Sequence, residues 1–297
     1  MNLVELIQQF SDESKCRAYI EKLRWPKGVA CPRCQADKIY QLENRPLLLC
    51  ASCEHQFSVT ADTIFHDTHL PLEKWFLATF LLCESKKGIS ACQIQRSLGV
   101  SYKTAWYLCH RIRAAMLEVA PPKLGGTVEI DETYVGGKKR RWRPKSDKAV
   151  VIGIRQRNGD LRLIHAEDAK SETVREIINA NVGSHVEVIV TDESAIYPWA
   201  LDKMQKNLHK TINHTREYAH GDVHTNTVES AFSLLKRGIM GTWHKVSAKH
   251  LPAYLDEMCF RFNNRKNPFL FRDTILKLIT SPNLEYKHLT AKVQDAA

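Results

Sequence analysis

Asp131, Asp192 and Glu229 are carboxylates placed where a purely structural role is hard to find. Asp131 closes the apolar run Val128-Glu129-Ile130-Asp131, and Asp192 closes Val186-Glu187-Val188-Ile189-Val190-Thr191-Asp192. Both runs alternate or are dense in β-branched residues, so they predict strands. Glu229 lies in His224-Thr225-Asn226-Thr227-Val228-Glu229-Ser230-Ala231-Phe232, which reads as a helix. If these elements converge, the carboxylates crowd one spot. That is costly unless cations neutralise them or some take up protons. A pair of Mg²⁺ ions is the usual solution, and it serves phosphoryl transfer. Glu132 competes for attention, but a strand sends its side chain to the face opposite Asp131. Glu193 reads as a helix N-terminal charge.

Four of the nine cysteines form a second constellation. Cys31-Pro32-Arg33-Cys34 and Cys50-Ala51-Ser52-Cys53 are CxxC pairs with 15 residues between them. Two turns, each offering two thiolates, close a tetrahedral Zn²⁺ site. Ile39 to Leu42, Leu47 to Leu49 and His55 to Val59 read as short strands around it. With every ligand a cysteine, the site has no open position and is structural. Cys16, Cys83, Cys92, Cys109 and Cys259 sit in apolar or helical contexts and read as small hydrophobes.

From Pro71 to Glu118 the spacing turns helical, with Leu72, Trp75, Phe76, Thr79 and Phe80 on one stripe. Ser90 can cap a helix to Leu98, Gly99 suits the turn, and Ser101 can cap the next helix. Helix, glycine turn, helix is the helix-turn-helix layout of DNA-binding proteins, although an ordinary helical hairpin has the same outline. Its second helix would present Tyr102 and Lys103, and with them His110, Arg111 and Arg113.

The elements that must position the acids follow the linker Pro121-Pro122-Lys123-Leu124-Gly125-Gly126. Strands are expected over 127–136, 149–154 and 161–166, a helix capped by Ser171 through Ile178, and a fourth strand over 186–191. Three strands, a helix and a further strand is the order of a ribonuclease-H-like α/β fold. In that fold the first and fourth strands are neighbours, so Asp131 and Asp192 meet. The expected organisation is an N-terminal helix (1–25), a zinc ribbon (26–65), a helix-turn-helix region (70–120), the catalytic domain (125–265) and a C-terminal tail (266–297). Tyr254, Phe260 and Phe262 belong to a helix packing on the sheet, and Arg265 and Lys266 beyond it could touch phosphates.

The 297 residues carry a net charge of +10, a footprint for polyanions. Between Lys138 and Lys148 stand seven basic residues and one acidic, starting seven residues after Asp131. That run is either a solvated loop or a grip on phosphates beside the acids. The longest apolar stretch, Trp75 to Cys83, is nine residues, too short for a membrane span. No signal peptide is visible, so the cytoplasm is the expected compartment. His214, His220, His224 and His244 read as structural or surface residues, and Trp243 as either core or a platform for an unpaired base.

The motifs Asp131-Glu132-Thr133-Tyr134-Val135-Gly136-Gly137-Lys138, Thr191-Asp192-Glu193 and Asn226-Thr227-Val228-Glu229, followed by Leu235-Lys236-Arg237-Gly238, resemble those of DDE transposases. More narrowly, they resemble transposases of bacterial insertion sequences with an N-terminal zinc ribbon. The likeness spans roughly residues 15 to 270, and the 36 residues between Asp192 and Glu229 fit the family interval. The resemblance implies Mg²⁺ or Mn²⁺, two ions, held by Asp131, Asp192 and Glu229. Asn226 shares a helix face with Glu229 and is either a neighbouring ligand or the formal third one. It implies Lys236 as a trailing basic residue and phosphate contacts from Lys138, Lys139, Arg140, Arg141, Arg143 and Arg237. It further implies an oligomer acting on terminal inverted repeats and target DNA in a bacterial cytoplasm, at the nucleoid. An idle DNA-binding regulator and a structure-selective nuclease are the rival readings.

Overall fold

The computed structural model describes residues 1–43, 45–136, 148–212 and 223–291. The chain divides into two compact units, one of Met1–Met116 with the segment from Asn267 onward, the other of Leu117–Lys266.

The first unit opens with α1 (Leu3–Gln9) and α2 (Glu13–Arg24), where a single N-terminal helix was expected. They separate because each has its own cap. Asn2 and Glu5 form a reciprocal capping box, and Asp12 accepts the Lys15 amide. Strands β1 (Ile39–Gln41), β2 (Leu48–Cys50) and β3 (Gln56–Phe57) then form a small antiparallel sheet in that order. Helix α3 (Leu72–Glu84) is apolar on most sides and buries Trp75, Phe76 and Phe80. Glu13 of α2 caps it by accepting the Leu72 amide at 2.6 Å.

Helices α4 (Ala91–Leu98) and α5 (Tyr102–Met116) follow the expected cap chemistry. Ser90 accepts from the Gln93 amide, Gly99 is left-handed at φ 60°, and Ser101 accepts from the Thr104 amide at 3.1 Å. One expectation for α5 is corrected. His110, Arg111 and Arg113 are buried. The Arg111 guanidinium donates to the Ile64 and His66 carbonyls and to Asn283 Oδ1, and lies over the Trp75 ring. Its charge braces loops inside the unit and leaves only the first turn of α5, with Tyr102 and Lys103, exposed.

The second unit is built on a five-stranded sheet: β4 (Leu124–Val135), β5 (Ala149–Gln156), β6 (Leu161–Ala166), β7 (Val182–Asp192) and β8 (His209–Ile212), in the order β6-β5-β4-β7-β8. The first three run antiparallel in sequence, and β7 and β8 lie parallel to β4. The first and fourth of these strands are therefore adjacent, the arrangement expected of a ribonuclease-H-like sheet. One face carries Val128, Ile130, Ile152 and Ile154 against α6 (Ser171–Asn181), with Tyr197 and Ala200 of the short α7 (Tyr197–Ala200). Ser171 is the first residue of α6, and Lys170 takes the cap position. Helix α8 (Lys203–Asn207) leads into β8, a strand the sequence had not signalled. The other face carries Val135, Val151 and Leu163 under α9 (Asn226–Gly238), a π-helical turn (Ile239–Trp243) and α10 (Leu251–Asn263).

Past residue 266 the expected tail is instead α11 (Leu270–Thr280) and α12 (Tyr286–Thr290). Leu270, Phe271, Thr274, Ile275 and Leu278 make an apolar helical stripe that packs on α2, α3 and α5. Among the described residues no helix is long and apolar enough to cross a membrane.

Candidate active site and zinc centre

Strand alternation decides where each acid points. Val128 and Ile130 enter the core under α6, so Glu129, Asp131, Thr133 and Val135 turn toward α9. In the parallel β4–β7 pair, Glu129 is in register with Val190. Two residues further along each strand stand Asp131 and Asp192. They lie on neighbouring strands, and alternation puts both on the face of Glu129. Asp192 Oδ1 accepts the Ser194 amide at 3.1 Å, which turns the chain away from the sheet. Glu229 sits in the first turn of α9, steadied by the Thr225 hydroxyl, which donates to its Oε1 at 2.8 Å.

Gly153 of β5 lies directly opposite Asp131. A Cβ there would come within 2.6 Å of the Phe232 ring and 2.7 Å of a Val228 methyl, so α9 approaches the sheet through the space this glycine leaves. Glu132 points to the other face, as alternation demands, and accepts a hydrogen bond from the Tyr197 hydroxyl.

The electrostatics are those of acids held together. Burial pushes the Asp131 carboxyl up to about 7, and the charges of Glu132, Asp192 and Glu229 push the same way. The Glu132 amide, donating to Asp131 Oδ1 at 2.8 Å, opposes this only in part. Glu132 is raised by burial and by Asp192, against the Tyr197 hydrogen bond. Hard, oxygen-only donors with mutual repulsion suit Mg²⁺ or Mn²⁺. The acids converge without closing on one point. Among the described residues, the only tight group of potential metal ligands, within 4.8 Å of one another, is the cysteine set.

That cysteine set is Cys31, Cys34, Cys50 and Cys53. Its sulfurs approach to 3.7 Å between Cys31 and Cys53 and 3.5 Å between Cys34 and Cys50. Zn–S bonds of about 2.3 Å give tetrahedral sulfur–sulfur edges of about 3.8 Å, so the donors fit structural Zn²⁺.

Comparison with known proteins finds matches over both regions. An ISXO2-like transposase domain matches residues 123–263, and a transposase zinc-ribbon domain matches residues 11–56. Both models are transposase domains, so the chain resembles transposases over its ribbon and over its five-stranded unit. A protein of transposable element ISH50 from the archaeon Halobacterium salinarum is 29% identical over 271 residues, 84% of this chain and 90% of that one. The bacterial source implied by the resemblance is therefore not one this relative supports. Two solved structures are also similar, both at low TM-score. The Mos1 strand transfer complex has 11% identity, covers 69% of this chain and 74% of that chain, and scores 0.31. A pre-cleavage Mos1 transpososome has 10% identity, covers 67% and 76%, and scores 0.27.

The other expected site residues are dispersed. Asn226 is the exposed first residue of α9, and Lys236 and Arg237 are exposed in its last turn. Tyr102 and Lys103 stand exposed in the other unit, where the Lys103 ammonium rests 4.5 Å over the Tyr286 ring. Lys138, Lys139, Arg140, Arg141 and Arg143 lie outside the described residues, as do His214 and His220. Trp243 packs edge-on against Tyr254 at 4.8 Å, which favours its core role. Arg265 lies over the Phe262 ring. Two residues went unnoticed in the sequence, Glu129 and Gly153. A charge within an apolar strand, and a glycine within another, were the available signals.

Proposed function

We propose that this protein is a transposase that cleaves DNA at the ends of an insertion sequence and joins the freed ends to target DNA. Asp131, Asp192 and Glu229 hold the catalytic cations, with Asn226 beside them. Bound there, Mg²⁺ or Mn²⁺ supplies Lewis-acid activation of water and stabilisation of the leaving oxygen. Water adds to the phosphorus at the element's end and the 3′ oxygen leaves. The resulting 3′-hydroxyl attacks a target phosphodiester, whose own 3′ oxygen leaves in turn. No covalent protein intermediate is required, so no Ser, Tyr or Cys acts as nucleophile. Burial of the site strengthens the interaction of its acids with bound cations. The ribbon and the first turn of α5, through Tyr102 and Lys103, recognise the terminal repeats. Lys236, Arg237 and the basic run after Gly137 hold backbone phosphates. Two ends must be processed together, so the working form is an oligomer on DNA.

The observation that carries this reading is the placement of Asp131 and Asp192 side by side on the face that α9 covers, with Glu229 in the first turn of that helix. Cleavage and joining of DNA bearing the parent element's ends tests it, with Mg²⁺, for the wild type and Asp192→Ala. Cut and joined product from the wild type alone supports the reading. Binding of the ends by both proteins with product from neither points to an idle regulator, and cutting without joining to a nuclease.

A further inference from the structure

Glu129 is fully buried, at 0% exposure, two residues before Asp131 on the same face of β4. A carboxylate in that position is expensive unless every lone pair is used. Here both oxygens are engaged. Oε2 accepts from the Thr227 amide at 2.9 Å, the Thr227 hydroxyl at 2.7 Å and the Val228 amide at 3.1 Å. Oε1 faces Arg157 Nε at 2.7 Å and His224 Nδ1 at 3.2 Å. Arg157 Nη2 also donates to the His224 carbonyl at 2.9 Å, and the Arg157 amide donates to the Thr127 carbonyl of β4 at 2.9 Å.

Arg157, just after β5, is tied to β4 through Glu129 and Thr127, and the remaining contacts join β4 or Arg157 to the start of α9. The amides of Thr227 and Val228 belong to the first turn of that helix, whose unpaired N–H groups need acceptors and favour negative charge. Glu229 is the next residue in the same turn. One strand thus carries Asp131 and, two residues earlier, the group that fixes where the helix bearing Glu229 begins. Glu129 has no free oxygen for a cation, so its effect on the site passes through α9.

We propose that Glu129, with Arg157 and His224, is a positioning clamp that sets the distance between Glu229 and Asp131. The proposal rests on the metal-dependent reading above. Truncating a residue that orients a metal ligand costs about 10–100-fold in metal affinity or activity. A group that only stabilises the fold would lower stability and leave the metal dependence alone.

The test uses the full chain with Glu129→Gln, and compares it with wild type and with Glu257→Gln. Glu257 is a second fully buried carboxylate of this unit, paired with Arg261 within α10. Three readouts are taken: melting temperature, the Mn²⁺ concentration for half-maximal DNA cleavage, and amide exchange over the first turns of α9. The expected result for Glu129→Gln is at least a tenfold higher Mn²⁺ requirement and faster exchange at residues 227–232. Glu257→Gln, at a similar loss of melting temperature, should keep the wild-type Mn²⁺ requirement within about threefold. Equal effects of the two variants on Mn²⁺ requirement, or a wild-type requirement and exchange in Glu129→Gln, overturn the clamp. If Glu129→Gln does not fold, Arg157→Lys carries the same comparison, because it keeps the charge and loses the fork to His224. A wild type that binds Mn²⁺ without cutting DNA would sink the transposition chemistry alone. Mn²⁺ affinity and amide exchange would then decide the clamp by the same criteria.

Discussion

Replacing Gly153 with alanine should separate Glu229 from Asp131 without touching either. The new Cβ would lie 2.6 Å from Phe232 Cζ, 2.7 Å from Cε1 and 2.7 Å from Val228 Cγ2. Carbon atoms settle at about 3.5 Å or more, so the contact is short by roughly 0.8–0.9 Å. Val228 is β-branched and stiff, and the Phe232 ring is only 4% exposed, so neither side chain can swing clear. The helix must move, and overpacking of this kind costs about 1–3 kcal/mol. Glu229 moves with Val228, its neighbour. A displacement near 1 Å at a reacting centre costs on the order of 100-fold in rate. The assay is single-turnover cleavage of element-end DNA at saturating Mn²⁺, with a thermal melt of the same sample. Gly153→Ala is expected to cut about 100-fold more slowly and melt several degrees lower. Adding Phe232→Leu removes the ring's share of the clash and leaves the Val228 contact, so it should recover only part of the rate loss. Wild-type cleavage by Gly153→Ala would refute the idea that this close approach sets the spacing of the acids.

Other expectations follow from the two units. Cys50→Ser should lower bound zinc from one ion per chain, measured by elemental analysis, and unfold the ribbon while leaving the second unit's melt in place. Ile275→Ala, in a fully buried position of α11, should cost about 2–5 kcal/mol in urea unfolding of the first unit, and a cost below 1 kcal/mol would contradict its core role. Asp256 is held up at about 6 by burial, above its unfolded value near 3.8. The folded chain therefore holds this proton more tightly, and wild-type stability falls as pH rises from 4 through 6. Asp256→Asn should be more stable than wild type above pH 6, by about 3 kcal/mol at most, and lose that advantage below pH 4. Chemical denaturation at pH 4 and pH 7.5 reads the difference.

The sequence carried the ribbon because metal geometry demands paired cysteines at short spacing, and Cys31, Cys34, Cys50 and Cys53 have no other natural use. It carried the sheet order because strand periodicity and the turn at Asn158-Gly159 are local signals. The neighbourhood of Asp131 and Asp192 followed from that order. Glu129 stayed hidden because its partners, Thr227 and Val228, lie 98 and 99 residues away, and nothing local distinguishes a clamped carboxylate from a solvated one. Arg111 misled in the opposite sense. Charge suggested exposure, whereas the side chain spends its donors on buried carbonyls. The α11 stripe was present in the sequence, but a helix following Asn267-Pro268 reads as a tail until the core it completes is known. Strand β8 is four residues long and takes its structure from β7.

The return of α11 to the first unit has a consequence for how the molecule is made. Phe271, Ile275 and Leu278 complete a core that α2, α3 and α5 begin more than 150 residues earlier. The second unit is continuous in sequence, from Leu117 to Lys266, and all its strands leave the ribosome before α11 does. At about 5–20 residues per second, roughly 10–30 seconds separate the emergence of α5 from that of α11. Through that interval the apolar stripes of α3 and α5 lack their last partner, while the sheet bearing Asp131 and Asp192 can already close. The part of the chain synthesised first is therefore the part that finishes folding last.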